Sequence, residues 1–108
     1  DVYLCLCPNA NWYIERRLPP VTLFMENGLP VCLGTDSLAS NHELNIWAEI
    51  QTLQKHFPQI NLETLLCWAT SNGARALQME DRLGSIEPGK QPGIVHIDPD
   101  DRITLLSL

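Results

Sequence analysis

The aspartate Asp36 ends a short apolar run, Val31-Cys32-Leu33-Gly34-Thr35, and is followed by the small and polar residues Ser37-Leu38-Ala39-Ser40-Asn41. In parallel α/β proteins chemistry collects at the carboxyl ends of strands, where loops vary without disturbing the sheet. A carboxylate placed there can bind a divalent cation and share a proton with water on that cation. The same side chain can also close a turn or cap a helix. Gly34 leaves room for a backbone or a ligand to come close. Asp36 is therefore the candidate catalytic and metal-binding residue, and no residue is assigned to substrate binding.

The other reactive side chains have simpler readings. His42 lies shortly after Asp36, His56 falls near a predicted helix end, and His96 sits in a short apolar stretch. They read as a surface residue at a helix start, a partner for a helix dipole, and a surface residue of a strand. There is no H-x-H or H-E-x-x-H, so spacing alone completes no metal site. Of the four cysteines, Cys5, Cys7 and Cys32 lie in predicted strands and Cys67 in an apolar helix. Without a C-x-x-C pair they read as free, buried thiols of a reducing compartment. Cys5 and Cys7 share one face of their strand and read as core packing. Trp12 and Tyr13 anchor a loop or line a pocket. Gly84 to Lys90 imitates a phosphate loop, but Gln91 stands where Ser or Thr is required and no strand precedes it.

Positioning Asp36 requires a strand, and the pattern supplies two. Val2 to Cys7 is continuously apolar, which predicts a strand buried on both faces, and Pro8 stops it. Asn9 to Leu18 reads as loop. Pro19-Pro20 leads into a helix over Val21 to Asn27, and Gly28 ends it. Pro30 to Gly34 is the second strand, giving a right-handed βαβ unit. Ser40 and Glu43 fit a capping box for a helix running to His56, with Ile46, Trp47, Ile50, Leu53 and Phe57 inward. Asn61 caps a helix over Leu62 to Thr70, with Leu62, Leu65, Leu66 and Ala69 inward. Asn72-Gly73 breaks it, and Ala74 to Met79 adds a further turn or two. Beyond Leu83 the texture becomes turn-rich, with short strands at Ile94 to Ile97 and Ile103 to Leu106 around the turn Asp98 to Asp101.

The chain has 108 residues, 44% of them apolar, enough for one packed core. A net charge of −6 excludes nucleic acid and anionic membranes as partners. No apolar stretch spans a membrane, and Val2 to Cys7 is too short for a signal peptide. The expected location is cytoplasmic. The chain opens at Asp1 and enters apolar sequence at once, and two parallel strands do not make a stable sheet. Both features predict a piece of a longer polypeptide. Exposed sheet edges further predict self-association.

Four motifs together resemble one family. Leu33-Gly34-Thr35-Asp36-Ser37-Leu38-Ala39-Ser40-Asn41 resembles the eighth-strand motif of the metal-dependent amidohydrolase superfamily, in its chlorohydrolase and aminohydrolase (deaminase) branch. Cys7-Pro8-Asn9-Ala10-Asn11 resembles the seventh-strand C-P-x-S-N, with Ala10 where the family often has Ser. Ala69 to Leu77 resembles A-T-x-N-G-A-x-A-L, and Leu83 to Lys90 resembles I-G-S-L-E-P-G-K. Pro92-Gly93 departs from the usual Ala-Asp.

The resemblance implies an α/β fold: the C-terminal part of a (β/α)8 TIM barrel, its last two strands and helices, over residues 1–82. A piece of a small β-sandwich follows over 83–108. It implies hydrolysis of a C–N or C–Cl bond in a small heterocyclic or nucleoside-like substrate by metal-activated water. Asp36 would be metal ligand and proton shuttle. The metal of the full-length parent would be zinc or iron, zinc being the first expectation. The family's histidine ligands come from the first, fifth and sixth strands, so this segment alone is expected to bind no metal and to be inactive. The competing reading is a non-catalytic, barrel-derived interaction or assembly module.

Overall fold

The computed structural model of the chain describes residues 2–106. In chain order they form strand β1 (Leu4–Leu6), helices α1 (Pro8–Glu15) and α2 (Val21–Glu26), strand β2 (Val31–Leu33), helices α3 (Ile46–His56), α4 (Leu62–Ala69) and α5 (Ser71–Ala76), and strands β3 (Ile94–Ile97) and β4 (Ile103–Leu106). β1 and β2 pair in parallel, Leu4 opposite Val31 and Leu6 opposite Leu33. β3 and β4 form a separate antiparallel hairpin, Ile94 opposite Leu106 and Ile97 opposite Ile103. No helix among the described residues is long and apolar enough to cross a membrane.

The helices cover one face of the parallel pair. Leu6 and Val31 from the strands meet Val21, Ile50, Leu53, Ile60, Leu65 and Trp68 in the core. Each such aliphatic side chain contributes about 1.5–3 kcal/mol when fully buried. The expected strand buried on both faces is not what β1 forms: Leu6 is buried while Cys5 is exposed. The cysteines follow suit. All four are free thiols, but only Cys32 is buried; Cys7 is half-buried, and Cys5 and Cys67 are exposed.

Several expected boundaries move. The loop expected from Asn9 is helix α1, because Pro8 does more than stop β1. It occupies the first helical turn, where its missing N–H and fixed φ suit a helix start. The capping box at Ser40 and Glu43 does not form. Ser40 spends its hydroxyl elsewhere, the chain turns through Ser40, and α3 starts only at Ile46, capped by the Asn45 side chain on the Ala48 N–H at 3.3 Å. Asn61 does cap α4, accepting from the Thr64 N–H at 2.8 Å. On α4 the inward residues are Leu65 and Trp68, whereas Leu62 and Leu66 face solvent. Asn72-Gly73 lies inside α5; the break falls at Thr70, whose φ of −127° and ψ of −84° turn the chain between α4 and α5.

Two contacts carry the C-terminal segment back. The Trp47 indole N–H donates to Asp101 at 3.0 Å, tying the β3–β4 turn to α3. Gly84, with φ +93°, is pressed against the α4–α5 junction.

Candidate functional site

The carboxyl ends of β1 and β2 lie side by side, and Gly34 explains how closely. A Cβ there would stand 3.0 Å from the Cys5 sulfur and 3.3 Å from the Cys7 sulfur. What comes close to Gly34 is thus a pair of side-chain thiols, where a backbone or a ligand was expected. Cys5 and Cys7 share a face, as expected; on it Cys32 is buried, Cys7 half-buried and Cys5 exposed. The Cys5 residue is exposed, yet its sulfur is tucked beside Cys32 and Cys7, and this local burial raises its pKa. Burial pushes Cys7 up to about 11; the nearby Cys5 adds to this and the Asp36 backbone N–H opposes it. A raised pKa favours the thiol over the nucleophilic thiolate in both.

Asp36 follows two residues after Gly34, in the left-handed region at φ +57°. Its side chain is exposed. Asp and Asn visit this conformation more readily than other non-glycine residues, because their short polar side chains bond locally. Here the Ser40 hydroxyl donates to Asp36 Oδ2 at 2.8 Å. That bond replaces the helix cap expected of Ser40. The other carboxylate oxygen makes no hydrogen bond among the described residues and is open to a ligand or a proton.

Beneath Asp36 lies a buried polar layer. Glu49, on α3, is completely buried. Its Oε1 accepts the Asn9 backbone N–H at 2.9 Å, and its Oε2 accepts Asn9 Nδ2 at 3.0 Å and Asn41 Nδ2 at 2.9 Å. Asn41 Nδ2 gives its second hydrogen to the carbonyl of Thr35, the residue before Asp36, at 2.9 Å. Thr52 donates to Asn9 Oδ1. One carboxyl group thereby holds the segments that follow both strands. Three N–H donors compensate its burial.

Glu49 and Thr52 were not singled out by sequence, and Asn9 and Asn41 only as parts of motifs. A signal existed: Glu49 is three residues after Ile46 and adjacent to Ile50, so it falls on the inward stripe of α3, where a charge is out of place.

The histidines are not gathered around Asp36 by any contact. His42 is exposed and meets Tyr13 edge-on with ring centroids 6.0 Å apart. His56 is exposed, lies 5.4 Å from Trp12, and has Nδ1 2.9 Å from the Thr52 carbonyl oxygen. Trp12 and Tyr13 are therefore helix residues of α1 that meet histidines. His96 is exposed on β3. Among the described residues no three of His, Cys, Asp and Glu come together to hold a metal ion. The donor set fits a divalent cation in one respect: Asp36 offers a free, solvent-facing carboxylate oxygen, the ligand type that zinc accepts alongside imidazole.

Comparison with known proteins gives a consistent picture. The amidohydrolase family matches residues 1–107. The 5-methylthioadenosine/S-adenosylhomocysteine deaminase of Teredinibacter turnerae is 36% identical over 102 residues, which are 88% of this chain and 23% of that protein. The same-named protein of Thermoanaerobacter pseudethanolicus is 38% identical over 100 residues, 86% of this chain and 23% of its own length. A zinc-bound adenosine deaminase from Xanthomonas campestris superposes with a TM-score of 0.76 at 35% identity, over 87% of this chain and 23% of that one. The guanine deaminase of E. coli shares the fold, with a TM-score of 0.74 at 24% identity over 91% of this chain and 24% of its own. The chain spans about a quarter of the length of the relatives it matches.

Proposed function

The chain belongs to the amidohydrolase family, and from that premise we propose that it carries the C-terminal part of a hydrolytic deaminase. In this reading β1 and β2 are the last two strands of a TIM-related barrel, and the face bearing Cys5 and Cys7 looks into that barrel. The substrate is a nucleoside-like heterocycle with an exocyclic amine. Support for this class comes from the deaminase names of the relatives and from the adenosine deaminase likeness at 35% identity. The single observation that carries the site is the placement of Asp36: an open carboxylate oxygen at the end of β2, held from below by Ser40.

Asp36 would supply one oxygen ligand to a divalent metal, zinc first, with the remaining ligands from elements outside this segment. When bound, such an ion makes water a nucleophile at neutral pH. The Asp36 carboxylate would take the proton that the attacking water gives up and pass it to the leaving amine. Its left-handed backbone and the Ser40 bond limit the directions the carboxylate can take, so the transfer needs little reorganisation.

The test is ammonia release from 5-methylthioadenosine by the full-length protein carrying this chain, loaded with zinc. Turnover is expected, and Asp36→Asn should lower kcat by about 10²–10⁴-fold, as for loss of a general acid–base group. Absence of ammonia release from 5-methylthioadenosine, S-adenosylhomocysteine and adenosine alike would remove the reading.

A further inference from the structure

We propose that Glu49 is a positioning residue for Asp36, acting through Asn41 on the peptide that joins Thr35 to Asp36; this rests on the reading of Asp36 as a metal ligand. The geometry argues for more than packing. Glu49 is completely buried, and Asn41 is 7% exposed. Among the described residues no Lys, Arg or His pairs with Glu49; its acceptors are filled by Asn9 and Asn41 alone. A buried carboxyl without a cation is an expensive way to fill space, and apolar residues of similar volume do that better.

What this carboxyl does, and an apolar residue would not, is fix the orientation of the Asn41 amide. Both Asn41 Nδ2 hydrogens are committed, one to Glu49 and one to the Thr35 carbonyl. Turning that amide over would set its oxygen against the Thr35 carbonyl oxygen. Glu49 therefore selects the one amide orientation that holds the peptide next to Asp36. Asn9, bonded through both its backbone and side chain, brings the segment after β1 into the same register. The Asp36 side chain has its own restraint in Ser40, so backbone and carboxylate are held separately. Groups one step behind a metal ligand act in this way, orienting it rather than touching the ion.

The experiment compares Glu49→Gln with wild type in the full-length, zinc-loaded protein. Either orientation of the new amide sets an N–H against an existing donor. Two quantities are read: zinc loss to excess EDTA, and kcat and KM for 5-methylthioadenosine. The control is Ile50→Ala, a core change on the same helix, compared at equal loss of Tm. Glu49→Gln should speed zinc loss and lower kcat by about 10–100-fold, with KM held within about twofold, while Ile50→Ala moves neither. Equal behaviour of Glu49→Gln and Ile50→Ala would overturn the proposal. Should Glu49→Gln fail to fold, Asn41→Ser cuts the same link, with the same expected and overturning results. A wild-type protein that holds zinc but leaves the probe intact would strike the functional reading alone, because the zinc-loss comparison still decides the role of Glu49.

Discussion

Gly84→Ala is a sharp test of how the C-terminal segment is fastened to the helices. Gly84 has φ +93°, and a Cβ there would lie 2.6 Å from the Ala74 Cβ, 3.1 Å from the Ser71 Cα and 3.3 Å from the Thr70 carbonyl oxygen. Carbon atoms prefer separations of about 3.5–4.0 Å, so the first contact must be relieved by movement. None of the three neighbours is the end of a flexible side chain. Ala74 is buried in α5, and the other two belong to the backbone at the α4–α5 junction. A non-glycine residue at positive φ costs about 1–2 kcal/mol. An extra methyl forced into a filled space costs about 1–3 kcal/mol. Gly84→Ala should therefore cost about 2–5 kcal/mol, a large share of the roughly 5–15 kcal/mol by which native proteins are typically stable.

Gly89 provides the control. Its φ is +89°, and nothing lies within 4 Å of its added Cβ. Gly89→Ala carries only the backbone cost, about 1–2 kcal/mol. Urea unfolding of the two variants, followed by tryptophan fluorescence and far-UV circular dichroism, isolates the clash as their difference. If the two variants agree within about 0.5 kcal/mol, the close seating of Gly84 on the α4–α5 junction is wrong.

Other expectations are smaller in scope. Asn72 Nδ2 donates to the Val31 carbonyl at 2.8 Å, linking α5 to β2; Asn72→Ala should cost about 1–2 kcal/mol in urea unfolding, and a neutral result would deny that link. Cys7, with its pKa pushed up to about 11, stays a thiol at lower pH; iodoacetamide at pH 8 should modify exposed Cys67 well before Cys7, by peptide mass spectrometry, and Cys7 should catch up only as pH approaches 11. Equal labelling at pH 8 would contradict the burial of that sulfur. The Glu87 carboxyl is held below its ordinary pKa first by the Ser85 hydroxyl and then by Lys90, 2.9 Å away. A depressed carboxyl stabilises above its unfolded pKa, and that help disappears as pH falls through the folded value. Lys90→Ala should move the Glu87 titration upward by carbon-13 NMR, and an unmoved titration would show the pair to be absent in solution.

The legible parts of the chain were those fixed by short-range rules. Apolar runs located β2 and the hairpin strands, and Asn61 marked the start of α4 because its cap needs only the next few residues. Long-range competition defeated the same rules elsewhere. Ser40 and Glu43 have a capping box spacing, but Ser40 is drawn to Asp36 and Asn41 to Thr35 and Glu49, so α3 waits for Asn45. Leu62 and Leu66 satisfy the helical stripe of α4, yet the packing partners lie on the side of Leu65 and Trp68. Burial of a strand face is likewise a property of what packs on it, which the apolar run at β1 does not encode. Glu49 is the hardest case. Its three donors come from 40 and 8 residues away, and only the folded chain brings Asn9 and Asn41 together.

The division of labour around Asp36 leads to a final prediction. Its carboxylate is exposed, while Ser40 and Asn41, which restrain it, are buried. The residue has to meet two separate demands: a left-handed backbone at φ +57°, and an oxygen that accepts from Ser40. Asparagine meets both, since it tolerates that conformation and keeps a carbonyl oxygen for Ser40. Alanine meets neither. Asp36→Asn should therefore hold stability within about 0.5 kcal/mol of wild type, while Asp36→Ala loses about 1–3 kcal/mol through the strained backbone and the lost bond from Ser40, whose hydroxyl is left only the longer contact to the Ser37 carbonyl at 3.3 Å. Urea unfolding distinguishes them directly. If asparagine destabilises as much as alanine, charge rather than shape holds the strand end, and a loss of turnover in Asp36→Asn could no longer be attributed to chemistry alone. If the two separate as expected, Asp36→Asn removes the ionisable oxygen from an otherwise unchanged scaffold, and the turnover it loses measures what that oxygen does.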